Sequence, residues 1–145
     1  MNTRKKSIIY KNVLFTIEHV LAYAVPRYLI LYFNDPSFFK EHANESLSKF
    51  GILLSKTMEC IKEIIHPEKI YCLMFGEKEE KPHFHLFPRT QTITNAYYQA
   101  TGVKEGTILG PELFTWVIKN KKGRCRELNS LVKCLQEKLK QLINN

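Results

Sequence analysis

Lys81-Pro82-His83-Phe84-His85-Leu86-Phe87-Pro88-Arg89 is the stretch whose reading decides the fold. In a strand successive side chains point to opposite faces, so His83 and His85 share one face while Phe84 and Leu86 take the other. The apolar face can enter a core and leave two imidazoles side by side at a surface or in a cleft. Histidine is the side chain whose unperturbed pKa lies near neutrality, so such a pair suits a nucleophile, an acid-base group or a metal ligand. Pro82 marks the strand entrance, because proline is confined to strand starts and edges. Lys81 has the parity of both histidines and stands at that entrance.

Outward from this strand the chain alternates short apolar runs with one long helical pattern. Residues 70–75 read as a strand joined to 83–87 through Gly76 and the charged segment 77–81, a hairpin whose short connection requires antiparallel pairing. Leu47, Phe50, Leu54, Met58, Ile61 and Ile65 recur at three- and four-residue steps. This spacing predicts an amphipathic helix over 44–65, capped near Asn44 or Ser46, with His42 before the cap and His66 at its end. Residues 28–33 form a continuous apolar run, and 7–10 and 13–17 read as strands around Lys11-Asn12. Residues 90–110 show little periodicity and read as a long loop with one helical turn. A helix is expected to begin at 111–118. Leu128, Leu131, Val132, Leu135, Leu139 and Leu142 stripe a terminal helix over about 127–143, packed on its own domain. The fold class that follows is α+β, an antiparallel sheet of about five strands with helices packed on it.

The motif resembles the end of the histidine-triad signature, His-x-His-x-His with two apolar residues and often Pro-Arg. Pro26-Arg27-Tyr28-Leu29-Ile30-Leu31 is similar to the family's Pro-Gly-(His/Tyr)-apolar strand. Gly110-Pro111-Glu112-Leu113-Phe114 looks like a segment of its dinucleoside-polyphosphate-hydrolase-like branch, so the likeness spans most of residues 8–118. Anchored on Pro88-Arg89 without a gap, His83 falls on the middle histidine of the triad and His85 on the third. Lys81 stands where the first histidine would be, and Arg27 replaces the glycine. A gapped register would instead begin the triad at His83 and make His85 the nucleophile.

The resemblance implies a hydrolase or nucleotidyl transferase that attacks phosphoanhydride or phosphoramidate bonds, with a nucleotide or dinucleoside polyphosphate as substrate and a homodimer as assembly. His83 is then the nucleophile and His85 its supporting group, while Lys81, Tyr28 and His19 bind substrate. On the residues alone Tyr28 is equally an ordinary strand tyrosine, and His19 a surface or loop histidine. The chemistry itself asks for a neutral imidazole nitrogen to attack phosphorus and for donors or cations to meet the phosphoryl oxygens. His83 meets that demand if its other nitrogen donates to a backbone carbonyl and fixes the tautomer. The alternative is a degenerate histidine-triad-like protein that binds nucleotide without turnover.

No metal and no cofactor is expected. Gly76 followed by His83-x-His85 resembles a cupin metal pattern, but Arg89 and Thr90 stand where a glutamate is needed, and zinc wants three or four protein ligands. The 145 residues, 44% of them hydrophobic, suit one domain over 1–145 with its core at about 8–118. Cys60, Cys72, Cys125 and Cys134 show no Cys-x-x-Cys spacing, and Cys60 and Cys72 follow core patterns. Free thiols and no visible export signal predict a cytoplasmic protein, and no apolar run is long enough for a membrane. The formal charge of +8 comes from the ends: residues 119–145 carry eight basic side chains against two acidic ones. Lys119, Lys121, Lys122, Arg124 and Arg126 gather around Gly123. They read as a solvated face, with nucleic-acid contact as a third, less favoured function.

Overall fold

The alternation of residues 83–87 is realised as the penultimate strand of an antiparallel sheet. The computed structural model describes residues 6–37, 44–76, 80–104, 106 and 108–145. Among these the strands are β1 (Ile8–Lys11), β2 (Phe15–His19), β3 (Leu29–Phe33), β4 (Lys69–Leu73) and β5 (His83–Arg89). The helices are α1 (Asn44–Ile65), α2 (Gln91–Thr101), α3 (Gly110–Asn120) and α4 (Leu128–Ile143). The sheet order is β1-β2-β3-β5-β4, antiparallel throughout. His42 lies outside the described residues.

Register decides what each face carries. Leu86 stands opposite Leu29 on one side and Cys72 on the other, while His85 stands opposite Ile30 and Leu73. One sheet face therefore presents Phe15, Ile17, Leu29, Leu31, Phe33 and Leu86, which bury against Leu53, Cys60 and Ile61 of α1 and Val132, Leu135, Leu139 and Leu142 of α4. Truncating one fully buried leucine in such a core, Leu135 for example, costs about 2–5 kcal/mol. The terminal stripe thus packs on its own domain, as its spacing implied, and its basic residues face outward. The opposite face carries Tyr28, Ile30, Tyr71 and Phe87, and packs against Ile93 and Tyr97 of α2 and Leu113 and Val117 of α3.

Four local readings change. Residues 90–110 do not form a long loop: α2 occupies eleven of them, from a Thr90 cap that accepts from Ile93 N to Gly102 in the left-handed region at φ 69°. Its apolar period is faint because only Ile93, Thr94 and Tyr97 are buried. The cap and the terminating glycine carry the signal instead. Cys72 is exposed, because β4 is an edge strand, whereas Cys60 is buried. The buried line of α1 runs through Leu53, Thr57, Cys60 and Ile61, and Leu47 at the head of the expected stripe stays exposed. Strand β2 starts at Phe15 because Asn12 Oδ1 accepts from the backbone N–H of Leu14 and of Phe15, closing an Asx turn that leaves Val13 in solvent.

Gly110 opens α3 where a side chain would be tight. A Cβ there would meet the Tyr71 ring at 3.2 Å. The close approach brings α3, and with it Phe114, down onto the sheet face that bears the histidines.

Candidate functional site

His83 and His85 project from one face of β5, with their ring centroids 5.1 Å apart. Lys81 lies before the strand, exposed, and its contribution to the pair is its backbone: the carbonyl oxygen accepts from His83 Nδ1 at 3.1 Å. A carbonyl can only accept, so Nδ1 holds a proton, and in the neutral ring the lone pair is on His83 Nε2. His83 is 9% exposed, with the Tyr32 ring 5.2 Å away across the strand pair.

His85 is held from the other side. The Tyr28 hydroxyl lies 2.6 Å from His85 Nδ1, and it has no other hydrogen-bond partner among the described residues. Tyr28 is 1% exposed, and burial, reinforced by Tyr23 and Tyr32 nearby, holds its hydroxyl well above the ordinary phenol range. The hydroxyl therefore keeps its proton, and with Nδ1 its one hydrogen-bond partner among the described residues it is assigned as the donor, which puts the His85 proton on Nε2. Burial, with His83 beside it as a lesser cause, pushes His85 down to about 4. His85 is a neutral imidazole at pH 7 and presents an N–H outward, while His83 presents a lone pair. Two adjacent imidazoles are thus fixed in opposite tautomers by a carbonyl and a hydroxyl.

Rings extend the site on the His85 side. Phe75, beyond the end of β4, lies edge-on to His85 at 6.3 Å and stacks on Phe114 of α3 at 6.2 Å. Phe114 meets Phe87 and Tyr28 edge-on at 5.4 and 6.4 Å. Arg89, which closes the motif, is turned to structure: it pairs with Glu68 at 3.3 Å and donates to the Tyr71 hydroxyl at 2.9 Å.

His19 is not brought to the pair. It has the parity of Phe15 and Ile17, and its ring is 1% exposed. Nδ1 donates to Val20 O at 2.8 Å and Nε2 accepts from Arg27 N at 2.8 Å. Both nitrogens are spent on the turn that leads into β3. Arg27 sits there at φ 65°, a left-handed conformation that favours glycine. The position explains why the motif it resembles has glycine, and His19 supplies a clamp on the strained residue. Burial, with Arg27 a smaller cause, keeps the His19 imidazole below its ordinary value.

Of the residues expected at the site, His83, His85 and Tyr28 come together, Lys81 joins through its carbonyl, and His19 stands apart. Tyr32 and Phe75 were not anticipated. Tyr32 has the parity of Tyr28 and was readable from alternation; Phe75 has the parity of Tyr71 and Leu73 within the strand expected over 70–75, although β4 itself ends at Leu73. Among the described residues no three His, Cys, Asp or Glu side chains gather as a metal would require, and no helix is long and apolar enough to cross a membrane.

No protein-family model and no curated protein sequence matches the chain. Solved structures do. A hypothetical histidine triad nucleotide-binding protein from Sulfolobus tokodaii strain 7 superposes with a TM-score of 0.63 at 13% identity, covering 94% of this chain and 85% of that one. A histidine triad protein from Bradyrhizobium japonicum gives 0.61 at 16% identity, over 96% of each chain. A zinc-bound histidine triad family protein from Mycobacterium smegmatis gives 0.60 at 12%, over 94% and 86%. At these identities the likeness is one of architecture: the chain has the histidine-triad fold, a five-stranded antiparallel α+β sheet, as its motif implied.

Proposed function

We propose that this protein binds a nucleotide over the β5 face and cleaves a phosphoanhydride bond, with His83 as nucleophile. The observation that carries the reading is the pair of hydrogen bonds at the two Nδ1 atoms, to the Lys81 carbonyl and to the Tyr28 hydroxyl, from which the opposed tautomers are inferred. His83 Nε2 has a free lone pair because Nδ1 donates to Lys81 O, and His85 faces the same space with an N–H because Tyr28 occupies its Nδ1. The name of one structural neighbour, a hypothetical histidine triad nucleotide-binding protein, points to the same ligand class.

In the first step a bond forms between His83 Nε2 and phosphorus, and the bridging P–O bond breaks with its electron pair on the departing phosphate. His85 Nε2–H donates a hydrogen bond to the oxygen on which charge develops, without giving up its proton. Water then attacks phosphorus, the P–N bond returns its pair to Nε2, and the water proton is released. A neutral His85 is a donor and a poor acid at pH 7. That favours a phosphate leaving group, stable as an anion, over an amine that must be protonated as it leaves. This narrows the phosphoramidate-or-anhydride expectation towards the anhydride.

A second reading, nucleotide binding without turnover, draws on Lys81. Its exposed side chain stands where the resemblance has an imidazole. The two readings separate in one experiment. The protein is incubated with a panel of dinucleoside polyphosphates and nucleoside phosphoramidates, quenched, and mapped by mass spectrometry. A nucleotidyl adduct on His83 is expected. An adduct on His85 overturns the assignment of roles. Binding with neither adduct nor product supports the second reading.

A further inference from the structure

Arg27 holds a backbone conformation that glycine would adopt without strain, at φ 65°. An outlier of this kind asks what the retained side chain does. It is not spent on the fold. Nε of Arg27 is buried with no hydrogen-bond partner, and the guanidinium makes no ion pair among the described residues.

The side chain lines a cavity of about 500 Å³ at the entrance of β3. Val25 before the strand, Ile65 at the end of α1, and Ile93 and Ala96 of α2 form its apolar wall, with His66 beside Ile65. Lys121 completes the lining, and its backbone is fixed: its carbonyl accepts from Ala24 N at 2.7 Å, and Gly123 N donates to Ala22 O at 2.9 Å. The Lys121 ammonium is held over the Trp116 ring, 5.7 Å from its centre. The first turn of α2 lines the same space, and its Gln91 and Thr92 N–H groups precede the intrahelical bond from Thr94 N to Thr90 O. Arg27 and Lys121 carry permanent charge, and among the described residues no carboxylate lines the cavity. Glu68 is engaged by Arg89 and by the Thr94 hydroxyl. The histidine pair lies elsewhere. Thr90 follows the last residue of β5, five residues beyond His85, or roughly 16 Å along the strand.

We propose that this cavity is a second binding site, for a small phosphate monoester with an apolar body. Such an ester carries a charge of about −1.5 to −2 at pH 7, which the two permanent cations match. The planar guanidinium fork suits phosphate oxygens, and a guanidinium with no ion pair of its own is available to them. The body would lie against Val25, Ile65, Ile93 and Ala96, in a volume within the range of about 300–1,000 Å³ usual for small-molecule sites. The site does not depend on His83 being a nucleophile.

The test is a ¹⁵N-amide NMR titration of the full chain with phenyl phosphate, compared with benzoate and benzyl alcohol. Saturable shifts are expected at Arg27, Gln91 and Thr92, with benzoate bound about tenfold more weakly, the scale of one charged hydrogen bond, and benzyl alcohol not at all. Arg27→Gly removes the guanidinium, keeps the N–H that His19 holds, and suits the left-handed backbone, so its urea midpoint should not fall. It should bind phenyl phosphate about tenfold or more weakly. Ala96→Phe, which fills the cavity and leaves both charges, should weaken binding likewise. Shifts confined to the amides of His83 and His85 would put the ester at the histidine pair and overturn the second site. Equal affinity of wild type and Arg27→Gly overturns it, as does benzoate binding as tight as the ester's. Absence of saturable shifts up to about 10 mM phenyl phosphate overturns it as well.

Discussion

The hydroxyl of Tyr28 and Nδ1 of His85 are 2.6 Å apart, one residue at the entrance of β3 and the other in β5, joined beneath the site face. This contact turns a buried tyrosine into the group that decides which His85 nitrogen carries the proton. In the proposed reaction Tyr28 would be a positioning residue, since its burial leaves it little surface for touching substrate directly.

Tyr28→Phe is expected to keep the fold and lower kcat by about 10–10²-fold with KM little changed, the scale of a lost transition-state hydrogen bond. Without the hydroxyl, both His85 tautomers become populated. The ¹⁵N chemical shifts of the imidazole check this directly: wild type should show the proton on Nε2, the variant a mixture. A wild-type ring protonated on Nδ1 would refute the assignment.

His83→Ala should abolish both turnover and the nucleotidyl adduct, because no other group can take over attack on phosphorus. His85→Gln offers an amide donor in place of the imidazole and should slow the reaction by about 10²-fold while an adduct still forms. Single-turnover quench with mass mapping distinguishes the two. An adduct persisting in His83→Ala would show that the roles are reversed.

His19→Ala tests whether this histidine serves the turn alone. Removing the ring leaves the backbone N–H of Arg27 without its acceptor and opens the clamp on a residue at φ 65°. A loss of about 1–3 kcal/mol is expected from urea denaturation, as for a buried group left unsatisfied. The kcat/KM of the folded variant should stay within about threefold of wild type, less than ~0.7 kcal/mol in barrier. A selective rise in KM at unchanged stability would return His19 to substrate binding.

The sequence disclosed the sheet and the histidine pair because both rest on parity. Alternation from His83 to Phe87 and the apolar run into Phe33 suffice to place two imidazoles over one face and leucines over the other. It concealed what holds them. That His83 leans on the Lys81 carbonyl and His85 on the Tyr28 hydroxyl depends on contacts between a side chain and distant or backbone atoms, which no spacing rule encodes. His19 misled for a different reason: the expected strand stopped at residue 17, so parity was not applied to it. Its neighbourhood in the chain suggested the cleft, while strand parity with Phe15 and Ile17 sent it to the opposite face. Helix α2 escaped because its burial is slight, although Thr90 and Gly102 already bracketed it.

The pH dependence of stability follows from His85 and His19, both held below the ordinary histidine value of 6.5, His85 at about 4, chiefly by burial. Above pH 6.5 both are neutral folded or unfolded, and their effect on stability is constant. As pH falls below that value the unfolded chain takes up protons that the native protein refuses, so the native state loses stability progressively down to about pH 4. The midpoint of urea unfolding should therefore fall between about pH 7.5 and pH 5 at an unchanged m-value, a window in which most ordinary carboxylates are still ionised. His85→Gln should flatten part of that fall, with the His19 share remaining. The native His85 ring, followed by NMR over the same window, should stay neutral to below pH 5. A titration midpoint above 6 would mean that water reaches the imidazole, and that the Tyr28 contact does not hold it in the neutral form on which the donor role depends.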